Sequence, residues 1–146
     1  MRLLQTGNVG AAEQLFQQAI ARDSRSPVGY YDLGVAYQSD GKTRLAARQY
    51  VRAIAEDPHY VPALYNQAGI VAKRNRRLAI FYYRRVIQLK PNSPTAFLNL
   101  GLLEHETKSL RTIGLSHLER AVKLDPSLRA AVPAALRARL HHSGSR

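Results

Sequence analysis

The side chains able to do acid–base or metal chemistry in this sequence are five histidines and ten carboxylates, and there is no cysteine. Without a thiol there is no disulfide framework, no thiolate zinc site and no cysteine nucleophile. His59, His105, His117, His141 and His142 include no pair at i, i+4, and none stands beside a Ser or Asp arrangement that suggests a triad. Glu104-His105-Glu106 offers three ligand types in a row. Consecutive helical positions point in different directions, however, so the three cannot converge on one ion. Gly7 and Gly10, and Gly34 and Gly41, lack the spacing and the strand-to-helix context of a phosphate-cradling loop. The chain reads as non-enzymatic, with no cofactor and no metal site.

The bases are more informative. Lys and Arg number 22 against 10 acids, a net charge of +12. Arg44, Arg48 and Arg52 lie at i, i+4 and i+8 on one helix face, and Lys73, Arg74, Arg76 and Arg77 crowd a tip between helices. From Pro58 to Leu103 there are seven bases and no acid. Such a field attracts phosphates, acidic protein segments or anionic headgroups through association rate and salt-dependent affinity. No groove-entering nucleic-acid motif accompanies it. No run approaches the ~20 apolar residues of a membrane helix; the longest, Val61 to Ala72, contains Asn66 and Gln67. Met1 to Gly10 lacks the apolar stretch of a signal peptide.

These residues are positioned by an internal repeat. Pro58, Pro91 and Pro126 close similar runs at spacings of 33 and 35 residues, and Phe16, Tyr50, Tyr83 and Leu118 recur at 34, 33 and 35. Inside each period, apolar residues recur at helical spacing in two blocks with a polar break between them. Ser39-Asp40-Gly41-Lys42 is the clearest break, a helix C-terminus followed by a new start. Two antiparallel helices per repeat follow. Each proline biases its preceding residue away from helix, which puts Asp57, Lys90 and Asp125 at the junctions.

Tyr30-x2-Leu33-Gly34-x2-Tyr37, Ala46-x3-Tyr50 and Pro58 resemble the tetratricopeptide repeat, with Tyr where Trp is commonest. Leu64-x2-Gln67-Ala68-x2-Val71, Ala79-x3-Tyr83 and Pro91 match with one residue fewer in the inter-helix turn. Phe97-x2-Leu100-Gly101-x2-Glu104, Gly114-x3-Leu118 and Pro126 match with one residue more. That last unit departs at Glu104, in place of an aromatic, and at Gly114, in place of a small Ala at close helix contact.

The resemblance implies an all-α, right-handed α-solenoid of stacked antiparallel helix pairs, in which neighbouring repeats bury one another's apolar faces. Residues 1–26 are expected to be a partial repeat, with Met1 to Thr6 ending its first helix; 27–60, 61–93 and 94–126 are full repeats. Leu128 to Leu140, within 127–140, is expected to form a capping helix, and 141–146 a disordered tail. The expected location is the cytoplasm if the chain is complete, and a membrane-tethered position if a further segment precedes Met1.

By the same resemblance the first helices line a concave groove for an extended peptide. Tyr31, Tyr65 and Leu98 form one inward column, Val35, Gly69 and Leu102 a second, and Asp32, Asn66 and Asn99 a third. An amide offers the donor and the acceptor that a peptide bond needs, and it can equally serve the neighbouring repeat's backbone. The convex face carries an outward column of Arg52, Arg85 and Arg120. The Lys, Asn and Arg clamp with which related arrays hold a C-terminal double carboxylate is absent: Tyr31, Val35, Leu98 and Leu102 stand in its positions. The leading reading is a protein-interaction scaffold whose groove binds a partner's extended segment. A second is electrostatic docking of the basic face on an anionic membrane, nucleic acid or acidic protein. A third is the recruiting part of a larger catalytic chain.

Overall fold

In the computed structural model the described residues are 9–141, with side chains described from Gly10 to Leu140. The stretch Met1 to Thr6 and the tail 142–146 lie outside them. The chain divides between Ile70 and Val71 into two compact units.

The first unit holds α1 (Val9–Arg22), α2 (Pro27–Ser39) and α3 (Thr43–Glu56), and α4 (Val61–Val71) begins in it. Pro27 starts α2 at a position where its missing N–H costs nothing. Gly41, at φ 71°, ends α2 in the left-handed region open to glycine. There the Lys42 N–H reaches the Tyr37 carbonyl at 2.8 Å and closes the helix end. The core is Leu33, Tyr37, Ala46, Tyr50, Ala53 and Ala63, with Phe16, Ile20 and Tyr60 packed against it. Tyr50 is fully buried. A Cβ on Gly34 would meet its ring carbons at 2.6 and 2.7 Å, so the missing side chain at Gly34 is what lets the ring lie against α2.

The second unit holds α5 (Arg76–Leu89), α6 (Pro94–His105) and α7 (Arg111–Leu124). Asn75 caps α5, accepting from the Leu78 N–H at 3.0 Å. The extra residue of the last repeat is taken up in a 3₁₀ turn, Lys108–Leu110, between α6 and α7. Asp57, Lys90 and Asp125 all leave the helical region, with φ −136°, −131° and −144°, as the following prolines require.

The expected capping helix over Leu128 to Leu140 does not form as one element. A 3₁₀ segment, Pro126–Ala131, is followed by a four-residue α8 (Ala134–Arg137) and a 3₁₀ turn, Arg139–His141. Pro133 is the cause: it has no N–H to donate and holds Val132 extended, at φ −77° and ψ 133°. Val132 and Leu136 still reach the core, packing with Phe97, Leu98, Leu118 and Ala121. The segment covers the apolar end of the unit without continuous helix.

Gly101 and Gly114 bring α6 and α7 into backbone contact. A Cβ on Gly114 would lie 2.5 Å from the His105 amide nitrogen and 2.8 Å from the Gly101 carbonyl oxygen, and one on Gly101 would lie 2.8 Å from the Gly114 carbonyl oxygen. Backbone cannot swing aside as a side chain does. Gly114→Ala and Gly101→Ala should therefore each destabilise the protein by about 1–3 kcal/mol, the usual cost of overpacking. Gly10→Ala, in open space within α1, should be neutral or slightly stabilising. Urea titration of the three variants checks the contrast.

Candidate functional site

The groove columns expected in the first unit come together in part. Tyr31, Val35 and Asn66, joined by Gln38, Ser39 and Tyr50, surround an open depression of about 380 Å³. Asp32 and Tyr65, both half-buried, are not among its lining residues. The Tyr31 ring packs against Tyr50 with centroids 5.8 Å apart and edge-on to Tyr60 at 5.6 Å. The Tyr50 hydroxyl donates to Gln38 Oε1 at 2.7 Å and accepts from Asn66 Nδ2 at 3.2 Å. Burial pushes that hydroxyl up to about 12, against the opposing pull of the Asn66 hydrogen bond. Burial likewise raises the Asp32 carboxyl.

In the second unit the groove columns are differently placed. Leu98, expected to receive ligand side chains, is only 7% exposed and belongs to the core. Its side chain is spent on packing against the last helices. Leu102 is half-buried against the same cluster. Asn99 Nδ2 donates to the Tyr83 hydroxyl at 3.2 Å, repeating the Asn66–Tyr50 bond at the same 16-residue separation. Each of these asparagines thus has a tyrosine side chain as a partner. Each bond contributes about 1 kcal/mol net, so both asparagines are part of the fold whatever else they touch.

Glu104 is the residue whose role sequence reasoning missed. It is fully buried, and its Oε1 accepts from Arg84 Nε at 2.9 Å and Nη2 at 2.7 Å. Its Oε2 lies 2.5 Å from His117 Nδ1. A carboxylate can only accept, so Nδ1 carries the proton. Glu104 stands in the column of Tyr37, whose hydroxyl donates back to Glu13 Oε1 at 2.5 Å. Both residues tie their helix to the second helix of the preceding repeat. The departure at Glu104 was visible in the sequence; its partners, 20 residues before and 13 after, were not. Glu106 turns elsewhere, to Arg76 at 2.7 Å on the surface. Among the described residues no group of three His, Cys, Asp or Glu side chains is placed to hold a metal.

Of the basic residues, Arg44, Arg48, Arg52 and Arg120 are exposed, as are Lys73 and Arg74 in the turn between α4 and α5 and Arg76 and Arg77 at the start of α5. Arg85 departs from the expected outward column. It is half-buried, lining a depression of about 300 Å³ with Ile80, Phe81, Arg84 and Gln88. Among the described residues no helix is long and apolar enough to cross a membrane.

Two measurements test these assignments. Arg84→Leu combined with His117→Leu leaves a carboxylate buried without a partner and should destabilise by about 3–5 kcal/mol. Glu104→Leu leaves behind an Arg84 side chain that is already 43% exposed and free to hydrate, so its cost should be much smaller. Equal losses in urea titration would refute the asymmetry. For Tyr50, a hydroxyl raised above its unfolded value near 10 stabilises the fold fully below pH 10, and that contribution is lost as pH rises towards about 12. Ultraviolet titration should show a tyrosine resisting ionisation until about pH 12, absent in Tyr50→Phe.

Comparison with known proteins agrees with the repeat geometry. A family model described as tetratricopeptide repeat matches residues 31–79. The chain is 28% identical over 110 residues to the type IV pilus assembly protein PilF of Pseudomonas aeruginosa, a match covering 72% of this chain and 43% of that protein. It is 29% identical over 123 residues to the photosystem I assembly protein Ycf3 of Acaryochloris marina, covering 71% of this chain and 73% of that one. The chain therefore spans less than half the length of PilF. Among solved structures it is similar to YrrB, described as a TPR protein with an unusual peptide-binding site. The TM-score is 0.77 at 21% identity, over 88% of this chain and 66% of that one, and that likeness bears on the fold alone. With the period, the helix pairs and the relatives in agreement, the described residues form an all-α fold of tetratricopeptide-repeat type, the family model matching residues 31–79 of it.

Proposed function

We propose that this chain is a non-enzymatic interaction scaffold that holds an extended segment of a partner protein, and that the depression around Tyr31, Val35 and Asn66 is its receiving surface in the first unit. One observation carries the reading. Tyr50 engages Oε1 of Gln38 and Nδ2 of Asn66, which turns the other ends of the two amides, a donor and an acceptor, to the service of a ligand. One peptide group needs one of each. Both amides are held by a buried hydroxyl before any ligand arrives, so little side-chain freedom is lost on binding. The Tyr31 ring and Val35 supply apolar surface for ligand side chains, and no charged residue lines the depression. This favours an uncharged stretch of partner.

The names of the relatives support an interaction role: two are assembly proteins, and the similar solved structure is described by its peptide-binding site. The partner's identity is a matter for experiment. A photoreactive phenylalanine analogue in place of exposed Ser39, in the native host, should label a discrete partner protein. Val35→Lys, which puts an ammonium group into the depression, should cut that labelling about tenfold, a loss of 1.4 kcal/mol. The groove reading fails if labelling from Ser39 is indifferent to Val35→Lys, or no greater than from the same probe at Arg120.

A further inference from the structure

Gln67 stands in the column held in the other repeats by Leu33 and Leu100. All three are buried, at 5%, 4% and 0% exposure. A leucine there serves only packing, whereas Gln67 buries an amide whose Oε1 has no hydrogen-bond partner. An unsatisfied buried acceptor destabilises the fold, and the apolar alternative occupies the same column twice in this chain. Packing therefore gives no reason for the glutamine.

The surroundings give one. Gln67 lines an open depression of about 790 Å³ in the first unit, with Tyr30, Ala47 and Val51 as apolar wall and Arg48 and Arg52 as cations. The two arginines lie one turn apart on α3, so their side chains share a face. Both are exposed, and neither is ion-paired among the described residues. The corresponding surface of α5 is different: its depression is about 300 Å³, Arg84 is committed to Glu104, and Leu100 holds the glutamine's column.

We propose that this depression is a second binding site, separate from the one around Tyr31, and that it takes an acidic peptide segment. Arg48 and Arg52 accept side-chain carboxylates, each able to form a paired, charge-assisted contact. Gln67 Oε1 accepts a backbone N–H after rotation of its terminal amide, a soft torsion. Tyr30 and Val51 cover an apolar ligand side chain between the two acids. A phosphate group satisfies the arginines but by itself supplies neither an N–H for Gln67 nor an apolar surface for the wall, whereas an acidic peptide supplies all three from one short segment.

The test is affinity selection from a synthetic library of acetylated, amidated hexapeptides on immobilised protein, read by mass spectrometry. The retained peptides should carry two Asp or Glu residues with an apolar residue between them. Gln67→Leu should lower their retention about fivefold and Arg48→Gln with Arg52→Gln about tenfold or more, while Val35→Lys leaves it unchanged. Gln67→Leu should also raise the melting temperature, because it removes the unsatisfied amide and restores the leucine of the column. Retention without an acidic bias, retention indifferent to Gln67→Leu, or a lowered melting temperature for Gln67→Leu would each overturn the proposal. So would saturable binding of inorganic phosphate or an oligonucleotide that needs Arg48 and Arg52 but not Gln67, which would assign the surface to phosphate.

Discussion

A buried tyrosine ring whose hydroxyl must be satisfied sets the geometry of the first two repeats. Tyr50 and Tyr83 are 0% and 3% exposed, and a phenol is buried cheaply only when its hydroxyl finds a partner. Asn66 and Asn99 meet that need from the next helix in each case. Gly34 makes room for the Tyr50 ring. Where the column changes to Leu118 there is no hydroxyl to satisfy, and the helices close by another route: Gly101 and Gly114 let two backbones touch. The hydrogen bond accounts for asparagine in the groove column, and close helix approach accounts for glycine both beside Tyr50 and between α6 and α7.

Two polar residues occupy columns that the repeat gives to apolar ones, and they have opposite fates. Glu104 replaces an aromatic and is fully enclosed, yet each of its oxygens is bonded, one by Arg84 and the other by His117. Such a network ties three helices of the second unit together, and the costly change is the one that leaves the buried carboxylate without its partners. Gln67 replaces a leucine and has no partner for its Oε1. The first substitution is compensated within the fold and the second is not, which is why only the second points outward to a ligand.

The groove illustrates how far a column alignment carries a site. Tyr31, Val35 and Asn66, taken from three columns, line one depression, because helical spacing fixes which residues share a face. Alignment could not reveal that Leu98 is covered by the last helices, nor that Gln38 and Asn66 share one tyrosine hydroxyl. The charge reading has the same limit. Spacing put Arg44, Arg48 and Arg52 on one exposed face, while Arg85, placed in the same outward column as Arg52 by alignment, is half-buried beside Phe81 and Arg84.

What the sequence determined by itself is what short-range chemistry controls. Helix ends follow from Gly41, Asn75 and the prolines, because a fixed φ, a missing N–H or a capping amide acts within a few residues. The helix pairs follow from a period repeated often enough to outweigh local noise. Pro133 belongs to the same class, and the break it makes in the last segment was there to be read. The tertiary structure alone decided the partners. Glu104 meets Arg84 and His117 across 20 and 13 residues of chain, and Gln67 Oε1 is left without a hydrogen-bond partner by packing from other helices. Such contacts are set by the approach of whole elements, which no local run of residues encodes.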